Sequence, residues 1–561
     1  MSAVYDLAER YVERFAALDP VSATFAGLTG HDAEMTDYGP DAAEERAGHD
    51  RAALAEVGRA PHESERDRVA AEVMVEQLSL GLELHEAGEH LRDLNIIASP
   101  AQGIRQVFDL MDKDTEADWD RVAARMALVP QALSSFQDAL TEGARRGLVV
   151  ARRQVVACAR QADTWGGLEG DGPPFFLALV DAYDRGGGNG GLRRTLDDRA
   201  RRATQAYAAF ARFLTDDYSA HATERDAVGA ERYARRARAF TGTRLDLRET
   251  YDWGWEELHR IERAMGEVAE RILPGEGVDA AIEHLESAPD RSIEGADALR
   301  DWLQELMDRT VAELDGTHFD IPEPVRRVEA MIAPPGGAAA MYYTPPSEDF
   351  GRPGRTWYPT LGKTRFPTWK ELSTCYHEGV PGHHLQVAQV LYLAAELTRY
   401  QRALAWSSGH GEGWALYAER LMGELGYLDD PGYELGMLAA QAMRAMRVVV
   451  DIGLHLELPI PDVEPYHPGE TWTAELALPF AIERSKMPAD FMASEVDRYL
   501  GWPGQAIAYK VGERVWLAAR AEAKRRRGPR FDLKAFHRHA LDLGNMGLAQ
   551  LERELARWDG T

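Results

Sequence analysis

From the amino terminus to about residue 330, apolar side chains return at spacings of three and four through segments dominated by Ala, Leu, Glu and Arg. Val69, Val73, Leu78, Leu80 and Leu84 show the period in one stretch, and Leu299, Trp302, Leu303 and Leu306 in another. A repeat near 3.6 residues buries one stripe of a helix but does not line one face of a strand, so this part of the chain is predicted to be a helical scaffold. Breaks are expected at Ser99-Pro100, at Gly172-Pro173-Pro174 and at Pro274-Gly275. The run Gly186-Gly187-Gly188-Asn189-Gly190-Gly191 precedes no strand-to-helix unit of the kind that cradles phosphate, and is read as a flexible connector.

The pattern changes near Pro322. Prolines recur as far as Pro367, and short β-branched and aromatic runs stand between turn signals, as in Ala340-Met341-Tyr342-Tyr343-Thr344 and Arg355-Thr356-Trp357-Tyr358. A small sheet is expected there. Helix is expected to resume at Thr368, where Thr368 and Glu371 have capping-box spacing. The expected architecture is mainly α and two-lobed. Residues 1–330 form a helical lobe, residues 331–561 a catalytic lobe with the sheet, metal-binding helices and C-terminal helices, and the site lies in the cleft between them.

Composition removes several function classes. With 92 acidic and 64 basic side chains the net charge is −28, so nucleic acid, whose phosphates need Lys and Arg, is not an expected partner. The one dense basic run, Lys524-Arg525-Arg526-Arg527, is expected to be a solvated helix end, where cations complement the helix dipole. Mean hydropathy is −0.40, and no apolar run approaches the roughly 18 residues that cross a bilayer, so no membrane partner is expected. Charges throughout Met1 to Arg14 leave no apolar export signal, and the expected location is the cytoplasm. Cys158 and Cys375 are the only cysteines, too few for a disulfide framework or a thiolate-rich metal site. A metal must therefore be held by His and carboxylate.

Such residues cluster in His377-Glu378-Gly379-Val380-Pro381-Gly382-His383-His384. In an HExxH helix, two His at i and i+4 reach one zinc ion and the Glu takes a proton from water. Here Pro381 occupies the i+4 position. If Pro381-Gly382 breaks the helix as a two-residue insertion, His383 takes the place of the second ligand. His384 is the alternative, although seven residues put it about 10 Å along an unbroken helix axis from His377. A third ligand is best sought in Gly411-Glu412-Gly413-Trp414-Ala415-Leu416-Tyr417-Ala418-Glu419, where Glu412 lies between glycines and opens a helical run.

That segment resembles the N-E-G-F-A-x-Y-x-E stretch supplying the third zinc ligand of gluzincin aminopeptidases, departing from it at Gly411. The resemblance implies Glu412 as ligand and Glu419 as a supporting or helix-face carboxylate. Taken with Arg447-Val448-Val449-Val450-Asp451-Ile452-Gly453-Leu454-His455 and with Trp502-Pro503-Gly504-Gln505-Ala506-Ile507-Ala508-Tyr509-Lys510-Val511-Gly512, the chain is similar to the bacterial domain-of-unknown-function family 885, proposed zinc metallopeptidases. The family's terminal Gly-x-x-Pro-Leu is here Gly544-Asn545-Met546-Gly547-Leu548, without the proline.

The resemblance and the residue pattern together lead us to expect one zinc ion on His377, His383 and Glu412, Glu378 as general base, and a peptide or small amide as substrate. A non-peptide amide or ester substrate, and a metal-binding scaffold without catalysis, stay as alternatives. Tyr509 and His455 are candidate hydrogen-bond donors to the oxyanion, with a core aromatic and an interior polar network as their ordinary structural alternatives. Arg447 and Asp451 share a helical face with His455, so Asp451 can orient His455 or pair with Arg447. Tyr343 and Arg352 are candidate substrate contacts beside a strand edge, and His384 and Gln505 candidate supports of the site. The number of subunits is left open.

Overall fold

The computed structural model describes residues 2–170, 172–185, 190–333 and 341–560. Gly186 to Asn189 of the expected connector, and Ala340 of the expected strand, lie outside the described residues. Among the described residues helix dominates, with two small sheets, and no helix is long and apolar enough to cross a membrane.

Contacts divide the chain into two compact units, one of Met1–Arg235 with Ser494–Pro503, the other of Arg236–Ala493 with Gly504–Thr561. The expected boundary near residue 330 does not coincide with this division, because the long helices after residue 246 pack on the elements that carry the metal motifs. The first unit is a helical array whose core includes Phe108, Phe136, Phe176, Tyr207 and Phe210. Its helices start where the punctuation predicts: Pro100–Leu110 opens with a capping box between Ser99 and Gln102.

The second unit contains the elements named from here on. Helix α1 is Leu247–Ile272, α2 Ala296–Leu314, α3 Glu371–Glu378, α4 His383–Tyr392, α5 Ser408–Glu424, α6 Pro431–Leu456 and α7 Ala508–Arg527. The strands are β1 Ser292–Glu294, β2 Val328–Ile332, β3 Tyr342–Thr344, β4 Gly354–Tyr358 and β5 Arg365–Pro367. β4 is the centre of a three-stranded sheet ordered β2-β4-β3, parallel to β2 with Val328 opposite Gly354 and antiparallel to β3 with Tyr342 opposite Trp357. Alternate residues Gly354, Thr356 and Tyr358 are buried. A separate pair, β1 and β5, sets Ile293 opposite Phe366.

The capping box expected at Thr368 is not formed. The backbone N–H and the hydroxyl of Thr368 both donate to the carbonyl of Arg291, extending the β1–β5 pairing, so α3 starts later, after Lys370. α6 is buried on every side from Ala445 to His455, as a central helix must be, while the basic run ends α7 in its exposed last turn as expected.

Candidate metal centre

The motif helix breaks where its sequence requires. α3 stops at Glu378 and α4 begins at His383, with Gly379 to Gly382 between them. Gly382 N–H donates to the Tyr376 carbonyl at 3.0 Å, and a Cβ on Gly382 would stand 2.0 Å from the His377 carbonyl oxygen. No side chain fits so close an approach. The Trp414 indole of α5 donates to the Pro381 carbonyl at 2.8 Å and fixes the break from below.

This break returns His383 to His377. The ligand atoms of His377, His383 and Glu412 all lie within 4.8 Å of one another. Glu412 Oε2 is 3.5 Å from His377 Nε2 and 3.4 Å from His383 Nε2. Tetrahedral zinc with arms of about 2.0 to 2.2 Å sets its ligand atoms about 3.3 to 3.6 Å apart, and both separations from Glu412 fall in that range. Glu412 Oε2 is buried without a hydrogen-bond donor, as an atom reserved for a cation would be. Burial alone would raise the Glu412 carboxyl, but His377 and His383 outweigh it and hold it well below the carboxylate range.

Glu419, two turns after Glu412 on α5, supports His377 from behind. Its Oε1 lies 2.7 Å from His377 Nδ1, while Oε2 accepts from Ser373, which sits one turn before His377 on α3. A carboxylate on Nδ1–H turns Nε2 toward the ion and raises its basicity. Ser373 was not a sequence candidate, although its i, i+4 spacing to His377 is the signal for it.

Burial lowers the affinity of His377 for a proton, yet Glu412 and Glu419 together raise its pKa to about 9. Binding a cation at Nε2 must expel that proton. Below pH 9 the cost of doing so grows as pH falls, so apparent zinc affinity should rise with pH by about tenfold per unit up to about pH 9. Calorimetry in buffers of different ionisation heat should show roughly one proton released per ion at pH 7.5. A flat affinity profile between pH 7 and 9 would contradict this.

The site opens on a cavity of about 520 Å³ whose described lining residues all belong to the second unit, and of residues 1–330 it is Glu286 that takes part, so the expected cleft between residues 1–330 and 331–561 is not what forms it. Glu378, Tyr343, Arg447 and Tyr509 line it beside His377, His383 and Glu412. Tyr509 arrives there because α5 and α7 touch at glycines: a Cβ on Gly512 would stand 2.0 Å from the Gly409 carbonyl, and one on Gly413 only 2.4 Å from Gly512. Next to Tyr509, the buried Lys510 Nζ donates to Glu257 of α1 and Gln441 of α6, each at 2.8 Å, and so fixes the start of α7.

Several expected site residues lie elsewhere. His384 is fully buried, with Nε2 2.7 Å from the Val325 carbonyl and Nδ1 3.0 Å from the Tyr343 hydroxyl. Burial lowers its pKa to about 4, so it is a neutral tie between α4 and the sheet region. His455 does not line the cavity. It is on α6 as expected, but the cavity meets that helix from Gly436 to Arg447, and eight further residues carry His455 about 12 Å along the axis. There it lies with Nε2 3.7 Å from Asp451 Oδ1, while Asp451 Oδ2 accepts from Gly504 N–H at 2.9 Å. His455 and Asp451 thus belong to an interior network. Gln505 is buried away from the cavity. Arg352 is exposed and donates to the carbonyls of Pro345 at 2.8 Å and Pro353 at 3.2 Å, stapling its own loop.

The model of the family described as "Bacterial protein of unknown function (DUF885)" matches residues 20–555. The chain belongs to this family. DUF885 membership covers both units and every motif described above. Two solved structures, each named a "putative lipoprotein", share the fold. The one from Colwellia psychrerythraea is 23% identical with a TM-score of 0.85, covering 100% of this chain and 99% of its own. The one from Shewanella oneidensis is 15% identical with a TM-score of 0.73, covering 99% of each chain. No curated protein matches the sequence.

Proposed function

We propose that this DUF885 protein is a metal-dependent hydrolase of peptide or amide bonds. The observation that carries the reading is the convergence of His377, His383 and Glu412 on one point, with Glu378 beside them on the cavity wall. Two imidazoles and a carboxylate suit zinc among the abundant divalent ions. A zinc ion held there supplies Lewis-acid polarisation of a carbonyl and lowers the pKa of water.

The chain's own residues supply the rest. The Glu378 carboxylate accepts the proton that attacking water gives up and returns it to the leaving amine nitrogen. Glu378 adds nothing to the ligand set, so its place at the cavity favours hydrolysis over a passive scaffold. Tyr509 O–H donates to the charge developing on the substrate oxygen. The edge strand β3, with Tyr342 and Tyr343 on the cavity, offers backbone groups to an extended peptide.

Tyr509→Phe should therefore keep the metal and a nearly unchanged KM while kcat falls about a hundredfold to a thousandfold. Turnover within threefold of wild type would remove the hydroxyl from the reaction. The reading as a whole is tested with a mixed peptide library followed by mass spectrometry, before and after chelation and with zinc restored. Cleavage that disappears with the metal and returns with it is expected; no cleavage in any state would contradict a peptidase.

A further inference from the structure

Although the chain carries a net charge of −28, six basic residues line the cavity: Lys363, Arg365, Lys370, Arg444, Arg447 and Lys486. Beyond Glu378 and Glu412, the acidic lining residues are Glu286 and Glu371. Arg365, Lys370 and Lys486 are held by groups around them. Arg365 donates to the carbonyls of Glu286 at 2.7 Å and Ala288 at 3.0 Å, Lys370 Nζ donates to Glu286 at 3.3 Å, and Lys486 Nζ lies 2.7 Å from Asp279. Glu371 offsets them only in part near neutral pH, since burial raises its carboxyl to about 7.

Arg444 differs from these. Its Nη1 donates to the Ala440 carbonyl one turn back on α6, at 3.2 Å, and its Nε–H is buried with no acceptor. It makes no ion-pair contact among the described residues, although its charge helps to hold the buried Glu419 carboxyl down. A buried charged donor without an acceptor is costly, and the cost is recovered when an anion meets it. Arg447 follows three residues later on the same face and also lines the cavity. The Tyr509 ring lies 5.8 Å from the Arg444 guanidinium carbon and 4.9 Å from that of Arg447, so both cations stand at the residue proposed to face the reacting oxygen. A guanidinium presents a planar fork that matches a carboxylate.

We propose that the substrate carries a carboxylate that docks on Arg444 beside Arg447, so that the cavity selects anionic peptides. The proposal rests on the hydrolase reading above and names its substrate class. The carboxylate has two sources, the peptide's own C-terminus or an acidic side chain.

Calorimetric titration of zinc-loaded Glu378→Gln protein, which should bind without turning over, separates them with three probes. These are acetyl-trialanine as free acid, the same peptide as C-terminal amide, and acetyl-Ala-Glu-Ala as C-terminal amide. One or both carboxylate probes should bind about tenfold to a hundredfold more tightly than the neutral amide. Preference for the free acid assigns the C-terminus, and preference for the Glu peptide assigns a side chain. Adding Arg444→Gln should erase the preference, and Arg444→Lys should retain part of it, which also serves if the glutamine variant does not fold. Equal binding of all three probes, no binding of either carboxylate probe, or a preference that survives Arg444→Gln overturns the proposal. Binding is read without turnover, so failure here is distinct from failure to cleave the peptide library.

Discussion

Replacing Glu378 by Gln is expected to leave zinc in place and lower turnover by about a hundredfold to ten-thousandfold, the usual contribution of a positioned general base. The amide is nearly isosteric with the carboxylate, so the buried end of α3 should keep its shape. It cannot accept a proton at neutral pH. Glu378 follows His377 directly, and consecutive helical residues point about 100° apart, so His377 can turn toward His383 and Glu412 while Glu378 stands beside them on the same cavity wall. The check is metal content by mass spectrometry beside steady-state kinetics. Loss of metal equal to that in Glu412→Gln would make Glu378 a ligand and remove the base.

The second large effect separates neighbouring histidines. His383→Ala removes a ligand itself, and since loss of a group that merely supports a ligand costs tenfold to a hundredfold in affinity, the loss here should exceed about a hundredfold. His384→Ala should keep zinc and fail differently. Its imidazole is fully buried and bridges the Val325 carbonyl to the Tyr343 hydroxyl, so its removal leaves a cavity and two unmet groups. A loss of about 2 to 5 kcal/mol of stability is expected, read from chemical denaturation. Zinc retained in His383→Ala and lost in His384→Ala would reverse the assignment.

The parts of the site legible in the sequence are those fixed by local geometry. Pro381 forbids an unbroken helix, which leaves His383 able to return to His377, and a spacing of seven keeps Glu419 on the face of Glu412. β3 and β4 were legible from aromatic and β-branched runs between turns. What was not legible depends on partners distant in sequence. The same periodicity that groups Arg447, Asp451 and His455 does not say how far along α6 the cavity reaches, and only Arg447 meets it. Arg444, three residues earlier on that face, was missed because nothing local distinguishes a cavity-lining arginine from a solvated one. The Thr368 capping pattern was overridden by the Arg291 carbonyl across the β1–β5 pair. A change of composition marks residue 330, whereas tertiary contacts place the later helices of the first 330 residues with the metal motifs.

In the function proposed above, one ion held by His377, His383 and Glu412 makes this protein a hydrolase. The most direct test of this is to titrate the metal-free protein with zinc and to follow, in the same samples, bound metal and cleavage of a peptide identified from the library. Activity should rise in proportion to bound zinc and stop at one equivalent, and Glu412→Gln should show neither rise at the same concentrations. One equivalent of zinc bound at these residues with no hydrolysis, or hydrolysis indifferent to zinc, would contradict it.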